Sequence, residues 1–94
     1  MIVRLVTLSF FIFSVSLAAN IPAMVMTCTA CHGATGVSPN PMWPNLMGQK
    51  KDYLKKQLMA FKTKERSDPL MNPIASNLSE TDMEAAIQYF SNLK

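Results

Sequence analysis

The run Cys28-Thr29-Ala30-Cys31-His32 constrains this 94-residue chain more than any other feature. It is a C-x-x-C-H motif, the attachment pattern of c-type haem. Each thiol is placed to add to one vinyl group of the porphyrin, and the histidine that follows is placed to reach the iron. The motif predicts one covalently attached haem c, held by Cys28 and Cys31, with His32 as an axial iron ligand. Plainer readings use fewer of these residues. A thioredoxin-like redox pair expects a strand and a crossover helix beside the thiols, and it leaves His32 idle. Structural zinc takes four ligands, whereas the chain has two cysteines and one histidine in all. A disulfide across so short a loop gains little closure entropy.

The N-terminus reads as an export signal. Arg4 supplies a positive n-region, Leu5 to Leu17 an apolar stretch, and Ser16-Leu17-Ala18 or Leu17-Ala18-Ala19 a small-residue cleavage site. Residues 1–19 are therefore expected to be a cleaved signal peptide, and residues 20–94 the domain. The rival is a retained anchor that faces the periplasm. The apolar run is short of the roughly 20 residues that span a bilayer, and Asn20 and Pro22 interrupt it. A periplasmic address agrees with the motif, because haem is attached to such sequences outside the bacterial inner membrane.

A domain this small is marginal without a staple. A covalent haem is one, since it offers a broad apolar face for helices to cover. The formal net charge is +3. Lys50, Lys51, Lys55, Lys56, Lys62, Lys64 and Arg66 crowd one segment, and Asp68, Glu80, Asp82 and Glu84 follow it. Most of these lysines are expected to form a solvated helix face. Segment 50–66 is also a candidate docking surface for an acidic redox protein. Nucleic acid is not an expected partner, and a membrane is one only if the N-terminal segment is retained.

Hydropathy spacing predicts three main helices and two long loops. Asn20 is a candidate cap for a first helix that runs through Met24 and Met26 into the cysteines. His32 to Gln49 is punctuated by Gly33, Gly36, Pro39, Pro41, Pro44 and Gly48, and reads as a loop wrapping one haem face. Trp43 in that loop suits either haem cover or ordinary packing. Lys50 to Lys64 is amphipathic, with Tyr53, Leu54, Gln57, Leu58 and Phe61 on one stripe. Glu65 to Leu78 reads as the second loop. Ser79-Glu80-Thr81-Asp82 opens a last helix whose stripe is Met83, Ala86, Ile87 and Phe90, with Leu93 extending it to the end.

His32 is the sole histidine, so a second axial ligand must be of another kind. Methionine is the natural one, because His/Met ligation is a known c-type pattern. Met24 and Met26 stand on the attachment side. Met42 and Met47 follow His32 closely. Met59 is mid-helix off the apolar stripe, and Met83 belongs to the core stripe. Met71, between Pro69 and Pro73, is far enough along the chain to return from the opposite side.

From about Thr27 to Leu93 the chain resembles class I c-type cytochromes, most of all the small c553 type or one half of a dihaem c4. The resemblance rests on Cys28-Thr29-Ala30-Cys31-His32-Gly33, on Pro41-Met42-Trp43-Pro44-Asn45-Leu46 with Gly48-Gln49, and on Tyr53-Leu54, Gln57-Leu58 and Phe61. It continues in Arg66 five residues before Met71, and in Leu78-Ser79-Glu80, Asp82 and Tyr89-Phe90. It implies an all-α class I cytochrome c fold packed around one haem, with His32 and Met71 as axial ligands. It also implies that the Pro44 carbonyl accepts a hydrogen bond from His32, and that Tyr53, Leu54, Leu58, Ile74 and Leu78 surround the haem. Three positions depart from the family pattern. Leu70 replaces a frequent methionine, Lys64 stands where glycine is frequent, and Met47 replaces a usual alanine.

The expected function is one-electron transfer between respiratory partners, from a donor such as a quinol-oxidising complex to a terminal oxidase or reductase. No substrate bond is made or broken. One alternative is an electron-accepting cytochrome subunit of a dehydrogenase, for example with a flavoprotein. Another is an open-site haem sensor or peroxidase, which needs a vacant or labile sixth iron position.

Overall fold

Four helices and no strand make up the regular structure of the described residues, 1–12 and 21–94, in a computed structural model. They are α1 (Val25–His32), α2 (Lys51–Lys62), α3 (Met71–Ser76) and α4 (Glu80–Ser91). The all-α expectation holds, with three longer helices and one short one. Residues 1–12 carry no regular secondary structure and are exposed. Both candidate cleavage sites, Ser16-Leu17-Ala18 and Leu17-Ala18-Ala19, and the Asn20 cap lie outside the described residues. No helix among the described residues is long and apolar enough to cross a membrane.

The helix stripes build the core. Met83, Ala86, Ile87 and Phe90 of α4 are all buried, as are Leu54 and Phe61 of α2. Val25, Leu54, Ala86, Ile87 and Phe90 form one cluster, so α4 is the element against which α1 and α2 both pack. Its start is fixed by a full capping box. The Ser79 hydroxyl accepts from the Asp82 N–H at 3.1 Å, and the Asp82 carboxylate accepts from the Ser79 N–H at 3.2 Å. Aspartate thus serves where glutamate is the usual partner.

The segment from Glu65 to Leu78 departs from its reading as a loop, because α3 lies inside it. The sequence places Pro73 in that loop. It occupies the third position of α3, in the first turn, where a backbone N–H has no helical acceptor to lose. The Asp68 carboxylate meets the first free donors of this turn, accepting from the Leu70 N–H at 2.9 Å and the Met71 N–H at 2.7 Å.

The middle helix ends at Lys62, earlier than the predicted Lys64, through a residue in the left-handed region. Lys64 has φ 64°, and its N–H donates to the Phe61 carbonyl at 3.2 Å. An L-residue pays about 1–2 kcal/mol to sit there. Glycine avoids that strain but gives back roughly 0.5–1 kcal/mol of unfolded-state entropy. Lys64→Gly is therefore expected to raise the thermal midpoint of the holoprotein by about 3–6 °C. Calorimetry checks this, and a lowered midpoint would contradict it.

The loop from Gly33 to Lys50 is pinned along its length. Leu46 and Met47 N–H groups donate to the Gly36 carbonyl, Gly48 N–H reaches the Phe90 carbonyl at 2.9 Å, and the Tyr89 hydroxyl donates to the Ala34 carbonyl. Gly33 turns the chain out of α1 at φ +86°. A side chain there would put its Cβ 2.1 Å from the Val37 carbonyl oxygen.

Candidate haem site

The C-x-x-C-H motif lies in α1, which ends at His32. Cys28 and Cys31 stand one turn apart on one helix face. Both are half-buried free thiols that line a partly open cavity of about 310 Å³. Burial pushes the Cys28 thiol above its ordinary value. A backbone hydrogen bond opposes this rise, and the nearby Cys31 adds to it.

His32 is buried on the same wall, with its ring edge-on to Phe90 at 6.4 Å between centroids. Its Nδ1 lies 2.8 Å from the Pro44 carbonyl oxygen. A carbonyl oxygen only accepts, so Nδ1 carries the proton and donates. Nε2 is then left with its lone pair free to bind a metal, and the ring plane is held by the loop. The Pro-rich loop supplies Trp43 and Pro44 to the cavity, α2 supplies Tyr53, Leu54 and Leu58, and the α3 region supplies Met71, Ile74 and Leu78. All eleven residues singled out in the sequence therefore meet on one cavity.

The arrangement of the walls separates the methionines. Only Met42 and Met71 line the cavity. Met42 is 82% exposed and belongs to the loop that also holds His32. Met71 is half-buried at the start of α3. Among the described residues, α1 packs on α4 and α3 packs on α2, while α1 and α3 do not touch. Two helices that line one cavity without meeting stand apart across it. His32 and Met71 thus approach the same space from different walls. Met83 is buried in the core away from the cavity, and Met24 packs on the core cluster.

The donor set fits a haem and does not fit zinc. One imidazole nitrogen, one thioether and two thiols on a helix face open into a space with mostly apolar walls. No group of three His, Cys, Asp or Glu side chains suited to a metal ion occurs among the described residues.

Several lining residues were read in the sequence only as packing or as matches to the family. Phe61, Ala86, Ile87 and Phe90 belong to the core stripes and also face the cavity. The stripe is the signal that could have marked them, because in so small a domain the core and the cofactor wall are the same surface. Arg66 and Asp68 also line the cavity, and periodicity carried no sign of either. The Arg66 guanidinium sits 4.6 Å from the Phe61 ring centroid and donates to Gln57 Oε1 at 2.8 Å.

Comparison with known proteins agrees with this geometry. The chain is 40% identical over 77 residues to a cytochrome c4 of Pseudomonas aeruginosa, covering 82% of this chain and 38% of that protein. It is 38% identical over 69 residues to cytochrome c-554(548) of Halomonas halodenitrificans, covering 70% of this chain and 83% of that one. A thiosulfate dehydrogenase electron acceptor of Stutzerimonas stutzeri is 39% identical over 77 residues, with 79% of this chain and 34% of the relative covered. The chain thus spans well under half the length of the first and third, and most of the length of the second. The family model for cytochrome c matches residues 18–94. With that match over the motif, the loops and all four helices, the chain belongs to the cytochrome c family, whose cofactor is covalently attached haem c.

Proposed function

We propose that this chain is a periplasmic one-electron carrier that binds haem through Cys28 and Cys31, with His32 and Met71 as axial ligands. When bound, the haem supplies an iron that takes up and releases one electron. The chain's own residues fix what that iron can do. The Pro44 carbonyl holds the His32 ring through Nδ1, which leaves the Nε2 lone pair available to a metal. With haem bound, the Met71 thioether would hold the iron, favour its reduced form and compete with an external ligand. Leu54, Ile87 and Phe90 keep the cavity wall apolar and exclude water. Lys50, Lys51, Lys55, Lys56 and Lys64 are exposed and offer a positive surface to an acidic donor or acceptor. On this reading the chain carries an electron and makes or breaks no substrate bond.

The observation that carries this reading is the meeting of His32 and Met71 on one cavity from helices that do not touch. Visible spectra of the periplasmic protein test it. A low-spin c-type spectrum is expected, with a far-red sulfur-to-iron band when oxidised and no shift with CO when reduced. A high-spin spectrum, or one that shifts at once with CO, would point to an open site and to sensor or peroxidase chemistry instead.

A second reading is favoured by the relative from Stutzerimonas stutzeri, named as the electron acceptor of a thiosulfate dehydrogenase. On that reading the chain serves one dehydrogenase as its electron-accepting subunit, with the same site. Purification from native membranes and periplasm separates the two: a subunit stays with a catalytic partner at a fixed ratio, and a carrier does not. The proposed export signal is checked by N-terminal sequencing of the periplasmic form, which is expected to begin at Ala19 or Asn20.

A further inference from the structure

A thioether is a neutral, weak iron ligand, so its hold depends on how firmly the chain presents it. The residue after Met71 is placed to provide that firmness. The Asn72 side-chain amide has two N–H donors, and both are used. One Nδ2 contact reaches the Phe61 carbonyl at 2.9 Å, in the last turn of α2. The other reaches the Arg66 carbonyl at 2.8 Å, in the turn beyond α2. Its Oδ1 accepts from the Asp68 N–H at 2.7 Å, on the approach to α3. One half-buried side chain thereby joins the end of α2, the connecting turn and the start of α3. The Asp68 carboxylate closes the arrangement by holding the Met71 N–H.

We propose that Asn72 is a positioning residue for the axial thioether: its amide clamps the Met71 segment to the end of α2 and so sets how tightly Met71 competes for the iron. This rests on Met71 being the ligand. The alternative is that Asn72 merely supports the fold. The two differ in one respect. A clamp on the ligand changes the competition between Met71 and an external ligand, and general support does not.

Imidazole titration of the oxidised holoprotein reads that competition, followed by loss of the far-red sulfur-to-iron band. Asn72→Ala removes all three side-chain hydrogen bonds. It is expected to raise the apparent imidazole affinity about tenfold, the size of about one hydrogen bond of ordinary strength carried into the competition. Ser79→Ala is the control. It removes the α4 cap and lowers the thermal midpoint without touching the Met71 segment, so imidazole affinity is expected to stay within about twofold of the parent, below the hydrogen-bond effect. If the alanine variant yields no folded holoprotein, Asn72→Asp is read in the same titration. It keeps an acceptor for the Asp68 N–H and loses both donors to the α2 end. An affinity unchanged in the Asn72 variant, or raised as much by Ser79→Ala, would overturn the proposal. Met71→Ala in the same series tests the foundation separately. Persistence of the sulfur-to-iron band in that variant would sink Met71 ligation itself, whatever Asn72 does.

Discussion

Met71→Ala is expected to leave the haem attached, lower the reduction potential by on the order of 0.1–0.3 V, and open the reduced iron to CO. The direction follows from the ligand chemistry. A thioether stabilises the reduced iron, so its loss favours the oxidised form. The size is a fraction of the ~0.8 V over which axial ligands move haem potentials. Attachment survives because Cys28 and Cys31 lie on α1, which does not touch α3. No other methionine is ready to replace Met71, since Met42, the other one lining the cavity, is largely exposed on the His32 loop. Potentiometric titration and the CO difference spectrum measure both effects. An unchanged potential with an inert sixth site would exclude Met71 as the ligand.

Most of this site could be read in the sequence because chemistry and periodicity pointed the same way. Cys28, Cys31 and His32 form a motif that few other sites need. The stripes of α2 and α4 follow helical spacing, and Met83, Ala86, Ile87 and Phe90 are all buried, while Leu93 lies past the end of α4 and is half-buried. What escaped the sequence was held by polar side chains acting over short range. Pro69 and Pro73 made the segment around Met71 look like an unbroken loop. The Asp68 carboxylate and the tolerance of a first turn for proline allow α3 to form there. Asn72 carries no periodic signal at all. Its importance comes from reaching back to Phe61 and Arg66, a contact that no local pattern encodes. In the sequence Arg66 stands out by its charge and by its spacing from Met71, and its place on the cavity wall comes from folding.

A haem-free Cys28→Ala/Cys31→Ala variant is expected to be largely unfolded. The core cluster is small, and four of its five members, Leu54, Ala86, Ile87 and Phe90, also line the cavity. Without haem these side chains keep contacts on one side only. A partly open cavity of about 310 Å³, at ~24 cal/mol per Å³, costs up to about 7 kcal/mol if it stays empty. A domain of this size has roughly 4–11 kcal/mol of total stability at ordinary values per residue. The cost is therefore comparable to everything that holds the fold together. Collapse of the walls does not recover it cheaply, because His32 is fixed to Pro44, and Gly48 of the same loop to Phe90. The local elements cannot stand alone either, since α1 has eight residues and α3 six, below the length at which isolated helices persist in water. Far-UV circular dichroism decides the matter. A weak, non-cooperative signal is expected, and near-native helicity with a cooperative thermal transition would show that the helices pack without the cofactor.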